Sequence, residues 1–361
     1  MLKSLFAWMQ TYERHLSALA MIAGFIVDNL FFDRIDLLQT QLVFAGYTAI
    51  CFVTIPLLHW LESRDRRGLF ALRARATLPF LTQFALGGFW SGFVIFYGRS
   101  ADLGASWPFL IFLAAVLVVN EYFHQYHDRL VFTSVLFFFA LYSYAIFAVP
   151  IYTGTLGVLT FLGSGVVAVG LFALFTMLLR FVAQERFRND VWRIRAGVFA
   201  VLVFMNVSYF TNILPPLPLS APSAGVYHSV WRVPGDYLAT SEKESWQVRY
   251  LGATPTFHVV LGDSLSAYSS VFAPTTLNTT IVHRWQWYDP VAKKWVLKSA
   301  IAYPIAGGRD GGYRGYSTMP ISIPGQWRVR IETIDGRRIA QLPFLVEEAT
   351  VPPQEETVGL D

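Results

Sequence analysis

Seven apolar blocks dominate the chain before residue 215, and they constrain its fold more than anything else in the sequence. They run at about Leu16–Phe32, Leu42–Leu61, Thr77–Tyr97, Ser106–Tyr122, Leu130–Val149, Leu156–Val182 and Ala196–Leu214. A helix needs about 20 mostly apolar residues to cross a bilayer core. Inside that core every backbone polar group must be satisfied within the segment, which makes each block a helix. The sequence predicts an α-helical polytopic membrane bundle of about seven spans over residues 1–214. The sixth block carries Gly157, Gly163, Gly165 and Gly170, small residues that permit tilt or close helix packing. The first block follows Lys3 and Arg14 as a signal peptide would, but Asp28-Asn29-Leu30-Phe31-Phe32-Asp33-Arg34 replaces a small-residue cleavage site. It is read as a retained span.

Lysine and arginine in short loops report orientation. With the N-terminus in the cytoplasm, the inner segments hold 13 of them, including Arg64, Arg66, Arg67, Arg73, Arg75, Arg186, Arg188, Arg193 and Arg195; the outer loops hold Arg34 and Arg99. Seven spans from an inside start leave the C-terminal part outside, periplasmic or extracellular. The net charge of +4 belongs to the part before Pro215, with 15 basic and 11 acidic residues; the part after it has 13 of each. The basic balance therefore follows from membrane loops and gives no ground for nucleic-acid binding. The single cysteine, Cys51, lies in an apolar block, so neither an intramolecular disulfide nor a cysteine zinc site can form.

At Pro215-Pro216-Leu217-Pro218 the pattern changes. Residues 215–224 read as a proline-rich linker, 225–347 as an extracytoplasmic β-domain, and the proline- and glutamate-rich 348–361 as a disordered tail. Alternation with period two marks strands at Ile281–Tyr288, Trp295–Lys298 and Trp327–Glu332, with further runs near Val226–Val233, Phe257–Leu261, Ser269–Phe272 and Tyr313–Thr318. Asp335-Gly336 reads as a tight hairpin leading into Arg338–Val346. Seven or eight short strands predict a β-sandwich of immunoglobulin-like type, without its cysteine pair. Its core would rest on Trp285, Trp287, Trp295, Trp327, Val329 and Phe344, and its outward face would offer Arg284, Lys298, Arg328 and Arg330.

The runs Val282-His283-Arg284-Trp285, Arg314-Gly315-Tyr316-Ser317, Gly325-Gln326-Trp327-Arg328-Val329, Asp335-Gly336 and Phe344-Leu345-Val346 resemble the bacterial domain of unknown function 2914. Gly24-Phe25-Ile26-Val27-Asp28-Asn29 is similar to the multi-span region that members often carry before it. The resemblance covers about 120 residues of the C-terminal region. It implies a domain boundary, a bacterial origin and an inner-membrane location with a periplasmic domain. It implies no activity, substrate or catalytic residue.

Three groups of residues are candidates for function. Asp28 and Asn29 lie within the first span, where a carboxylate is costly; Asp28 serves either as an ion or proton site or as a structural partner of a polar group such as Gln83 or Asn206. Glu121, His124, His127 and Asp128 cluster at the inner end of the fourth span, with His15 and His59 placed at the same boundary. Glu121, His124 and Asp128 fall on one face if the helix continues, a spacing suited to a divalent metal. The same residues also suit an interfacial loop at headgroup level. No other cofactor is expected. In the β-domain, Arg284, Arg314, Tyr316, Arg328 and Arg330 form a candidate binding surface. His283 shares the parity of Trp285 and Trp287 and reads as a packed core residue, and Gly307–Gly312 lacks the lysine and following helix of a phosphate loop.

The leading functional expectation is a non-enzymatic membrane protein. Its outer domain recognises a protein or envelope glycan, while the spans contact lipid and anchor it or join a membrane complex. The alternatives are a transporter or embedded enzyme for a lipid-linked or small substrate, and a seven-span sensor with a cytoplasmic partner.

Overall fold

The computed structural model describes residues 25–26, 28–30, 32, 34–63, 68–100, 103–122, 130–216, 218–243, 253–275, 277–309 and 311–360. The chain divides into two compact units. A helical unit comprises 1–98, 108–149 and 158–214, and a β-rich unit comprises 99–107, 150–157 and 215–361.

Among the described residues, six long helices lead: α1 Leu38–Ser63, α2 Leu69–Ser100, α3 Leu103–Tyr122, α4 Leu130–Thr153, α5 Val158–Val182 and α6 Gln184–Phe210. Among the described residues, five helices are long and apolar enough to span a membrane, rather than the seven expected: α1, α2 from Arg73, α4, α5 and α6. The apolar part of α3 is Ser106–Asn120. At about 1.5 Å per residue it covers only ~22 Å of a ~30 Å core. Most of the first expected span lies outside the described residues. α6 begins 12 residues before the expected Ala196 and takes in Arg186–Arg195, because a charged segment costs a helix little when it faces water or headgroups. α5 and α6 fold back on each other at Ala183 (φ −134°, ψ 50°), so that Phe161 near the start of one stacks on Tyr209 near the end of the other at 3.8 Å.

Aromatic side chains fill the bundle. Phe44 of α1 lies 5.5 Å from Phe93 of α2, 5.5 Å from Tyr144 and 5.4 Å from Phe147 of α4. A Cβ on Gly92 would sit 2.5 Å from Phe44, so α2 packs here only because this position has no side chain. Thr54 and Thr82 bond each other at 2.7 Å across α1 and α2.

The described residues of the β-rich unit hold eleven strands: β1 Ser220–Tyr227, β2 Ser229–Val233, β3 Asp236–Glu242, β4 Thr256–Val259, β5 Ser264–Phe272, β6 Asn278–Asp289, β7 Lys294–Ala306, β8 Tyr313–Pro320, β9 Gly325–Thr333, β10 Arg338–Glu348 and β11 Glu355–Leu360. They form three small sheets, ordered β1-β5-β8, β4-β10-β9-β6-β7 and β11-β3-β2. None closes into a barrel or a single sandwich, so the immunoglobulin-like expectation holds only as a β-rich region. The physical reason is local. The run Val226–Val233 breaks at His228, whose backbone N–H is taken by Thr240 at 2.9 Å. β1 then joins one sheet and β2 another. The expected linker already contains the start of β1. The expected disordered tail contains β11, which pairs with β3 from Glu355↔Glu242 to Leu360↔Tyr237 and buries Leu360.

Side chains from two sheets share the main core: Leu265 and Ala267 of β5 meet Trp285, Trp327, Val329 and Phe344 of the five-stranded sheet. Alternation explains the selection, since odd positions of β6 and β9 point inward and even positions outward.

Candidate functional site

The outward face of the five-stranded sheet collects charge. Register places Arg284 opposite Arg330 and Gln286 opposite Arg328 across β6 and β9, and Gln341 of β10 opposite Arg330. The Arg328 guanidinium lies 4.0 Å from the ring centre of Trp295 on β7 and donates from Nε to Gln286 Oε1 at 2.7 Å. Gln341 Oε1 accepts from Arg330 Nε at 3.3 Å and from Arg338 at 3.1 Å. Arg284 Nε stands 2.8 Å from Glu332 Oε2, and Arg330 Nη1 stands 3.8 Å from Oε1 of the same buried carboxylate. Tyr288 packs edge-on against Trp295 at 5.3 Å. Four guanidinium groups thus gather about the Glu332 carboxylate on one sheet face. Partial burial, with the charges of Arg330 and Arg338 adding to it, pushes Arg328 down to about 10. It stays cationic at neutral pH, but its charge is crowded.

Such a face suits a flexible or planar anion. Guanidinium forks match carboxylate and phosphate geometry, and the Trp295 ring supplies a flat apolar surface beside them. Of the five residues expected to form the surface, Arg284, Arg328 and Arg330 come together here. Arg314 and Tyr316 do not, because they sit on β8 in the other sheet. Arg314 pairs with Asp236 at 2.8 Å, and Tyr316 packs near Tyr237. Trp295 was expected in the core; it lies instead on the outer face, because register pairs it with the outward Tyr288 and Arg328 covers its ring. Gln286, Gln341 and Arg338 were not singled out from sequence. Arg338 was within reach, since the Asp335-Gly336 turn brings it back beside β9.

The buried interior holds a second polar group. His283 Nδ1 lies 2.9 Å from Ser317 Oγ, and its Nε2 lies 2.9 Å from Ser269 Oγ and 3.1 Å from Tyr303 Oη. Trp285 Nε1 donates to Ser317 Oγ at 3.0 Å, so the Ser317 hydroxyl joins the indole and the imidazole in one buried group. Burial pushes His283 down to about 4, which keeps it neutral. A Ser–His pair in full burial, with every polar atom bonded to a neighbouring strand, ties two sheets together and presents nothing to a substrate.

The membrane candidates are placed as follows. Asp28 is half-buried, facing Ser91 of α2 and Tyr47 of α1 rather than Gln83 or Asn206. Asn206 donates to Leu202 O at 2.8 Å. Asn29 is exposed on the same short helical stretch. Glu121 belongs to the last turn of α3, while His124, His127 and Asp128 lie outside the described residues. His59 bonds Glu62 at 3.1 Å within α1. Among the described residues, no group of three or more His, Cys, Asp or Glu side chains is arranged to hold a metal ion.

The family described as "Protein of unknown function (DUF2914)" matches residues 278–346, which contain β6 to β9 and most of β10. The chain carries a C-terminal DUF2914 domain. The whole arginine face lies within the matched DUF2914 residues, and the apolar helices precede them. No curated protein matches the chain. Among solved structures, the Pseudomonas fluorescens alkylpurine DNA glycosylase AlkC, bound to DNA containing an abasic site analog, aligns with 87% of this chain and 99% of its own at 8% identity and a TM-score of 0.23. A likeness that weak carries no argument about fold or function.

Proposed function

We propose that this protein is a membrane-anchored recognition protein of the bacterial envelope, and that its DUF2914 domain binds an acidic envelope glycan through the arginine face. The N-terminus lies in the cytoplasm and the β-domain outside, as the distribution of basic loop residues favours. The observation that carries the reading is the grouping of Arg284, Arg328, Arg330 and Arg338 with Trp295 around Glu332 on one sheet face. The shared core around Trp285 and Trp327 supports a sandwich-like platform rigid enough to hold that face in register.

The test uses the full chain in mild detergent, titrated with an acidic uronate oligosaccharide and with a neutral oligosaccharide of the same length. Only the acidic one binds, and added salt weakens it. Arg328→Gln lowers affinity about tenfold or more, the loss of one charge-assisted hydrogen bond (~1.5–3 kcal/mol). Arg314→Gln leaves affinity unchanged. Equal binding of the neutral oligosaccharide, or an equal loss with Arg314→Gln, would show that this face is not the site.

A further inference from the structure

The helical unit contains a cavity of about 840 Å³ bounded by α3, α4 and α6. That volume falls in the range of small-molecule pockets. Of the twelve described residues that line it, nine are apolar, among them Phe112, Phe132, Val135 and Phe139; the other three are Arg186, Asp190 and Arg193. The charged three are confined to α6 and follow a helical stripe at i, i+4 and i+7. The same stripe continues through Gly197 to Val201. It therefore runs from charged to apolar along the helix, as a lipid runs from headgroup to chain.

Two details fix the ends of the cavity. At Gly197 a Cβ would collide with Val135 of α4, so α6 meets α4 closely there. Toward the start of α6 the lining becomes polar. Arg186 reaches Glu62 of α1. Arg193 pairs with Asp190 at 3.2 Å while its side chain stays 75% exposed. Trp192 is 76% exposed and Phe181 88% exposed beside this end, the placement expected of aromatic residues at headgroup depth. Each guanidinium faces a carboxylate, Arg186 that of Glu62 and Arg193 that of Asp190; the second pair is the exposed one, and such a surface pair is weak enough to exchange for a phosphodiester.

We infer that this cavity is a binding site for an anionic phospholipid of the surrounding bilayer, with the phosphate at Arg193 and Arg186 and an acyl chain along Phe112, Val135 and Phe139. A soluble anion would have no use for nine apolar lining residues. Arg193 is three-quarters exposed, so its guanidinium can turn from Asp190 to an anionic phosphate at little cost. The inference is independent of the β-domain's ligand.

The experiment places the full-length protein in nanodiscs of phosphatidylcholine with a minor fraction of phosphatidylglycerol, extracts it gently and counts retained lipids by native mass spectrometry. One phosphatidylglycerol is retained, enriched about fivefold over its share, the effect of one arginine at an anionic headgroup (~1 kcal/mol). Arg193→Gln removes the enrichment. Val131→Trp and, from the facing helix, Val201→Trp fill the cavity and remove the bound lipid altogether; two fillers guard against one that misfolds. Glycerol phosphate, the headgroup without chains, does not displace the lipid. Four results would each overturn the inference: no enrichment, enrichment that survives Arg193→Gln and both fillers, displacement by glycerol phosphate, or a second copy of the chain in place of the lipid.

Discussion

In the helical unit a buried aromatic cluster sets Phe44 among Phe89, Phe93, Tyr144 and Phe147 at 5.4–5.6 Å. In the β-rich unit the equivalent depth holds a hydrogen-bonded group, His283, Ser269, Ser317, Tyr303 and Trp285, at 2.7–3.1 Å. The contrast follows from what each unit is surrounded by. Helices satisfy their own backbones, so a bundle in lipid needs only shape and dispersion between side chains. A stack of small sheets in water gains from removing apolar surface from solvent, and it also needs something to fix which sheet meets which. The His283 group does that, since Ser269 and Ser317 come from the β1-β5-β8 sheet and His283, Trp285 and Tyr303 from the five-stranded one.

The largest expected effect tests the role of the solvent. Trp285→Ala removes a fully buried indole from the shared core and costs about 3–5 kcal/mol. Phe44→Ala empties an equally buried site in the bundle, but lipid tails are as apolar as the side chain they replace, so only packing is lost. Thermal unfolding of the full chain in one detergent, followed separately by β and helical circular dichroism signals, should show the β transition falling further. Equal losses would mean that the two interiors are held by the same force. A smaller version of the comparison uses hydroxyls. Ser317→Ala strands both His283 Nδ1 and Trp285 Nε1, at about 1–3 kcal/mol for an unsatisfied buried group. Thr54→Val breaks the Thr54–Thr82 bond within the bundle, where such bonds average about 0.6 kcal/mol.

The same contrast decides how much could be read from sequence. Hydropathy reports helices directly, because each satisfies itself; it identified the blocks that became α1, α2, α4 and α5 closely. It failed where a helix changes surroundings along its length. Arg186–Arg195 read as loop because charge is a poor sign of helix end, and Ser106–Asn120 read as a span although it is short for one. Strand periodicity gave the face of each residue in β6 and β9, hence Arg284, Arg328 and Arg330 as one group. It could not say which sheet a strand joins, so Arg314 and Tyr316 were grouped with residues they do not meet. β3 and β11, with sequences Asp-Tyr-Leu-Ala-Thr-Ser-Glu and Glu-Glu-Thr-Val-Gly-Leu, carry little alternation. β3 is held on one side by β2 through the tight turn at Pro234-Gly235, a local signal that was missed, and on the other by β11, a long-range pairing that no local window holds.

The smallest expected effect concerns that pairing. Glu242, at the end of β3, bonds His228 at 2.9 Å and His258 of β4 at 2.7 Å, and also accepts the His258 backbone N–H at 2.6 Å. Glu355 of β11 stands 3.6 Å from His228, and Glu347 of β10 stands 3.6 Å from His258. These five side chains join the β11-β3-β2 sheet to the edge of the five-stranded one. Burial alone would raise Glu242, but the hydrogen bonds from His258 and His228 outweigh it and hold the carboxyl below its usual 4.5. The bond to Glu242 raises His258 above 6.5, against a small opposing burial and with help from the charges of Glu242 and Glu347. The two shifts act at opposite ends of the pH scale. The His258 contribution is complete below pH 6.5 and fades as pH rises through its raised value; the Glu242 contribution is complete above pH 4.5 and fades as pH falls through its lowered value. The clasp is therefore at full strength between about pH 4.5 and 6.5, and loosens above. His258 is half exposed, so solvent screening keeps its share under about 1 kcal/mol. Hydrogen exchange at the β3 and β11 amides should then slow on going from pH 8 to pH 6 by more than the chemical rate change alone. His258→Gln should abolish that excess while leaving exchange in β6 and β9 unaltered. Excess protection that survives the substitution would place the coupling between these sheets in the β3–β11 pairing itself rather than in the histidine–glutamate cluster.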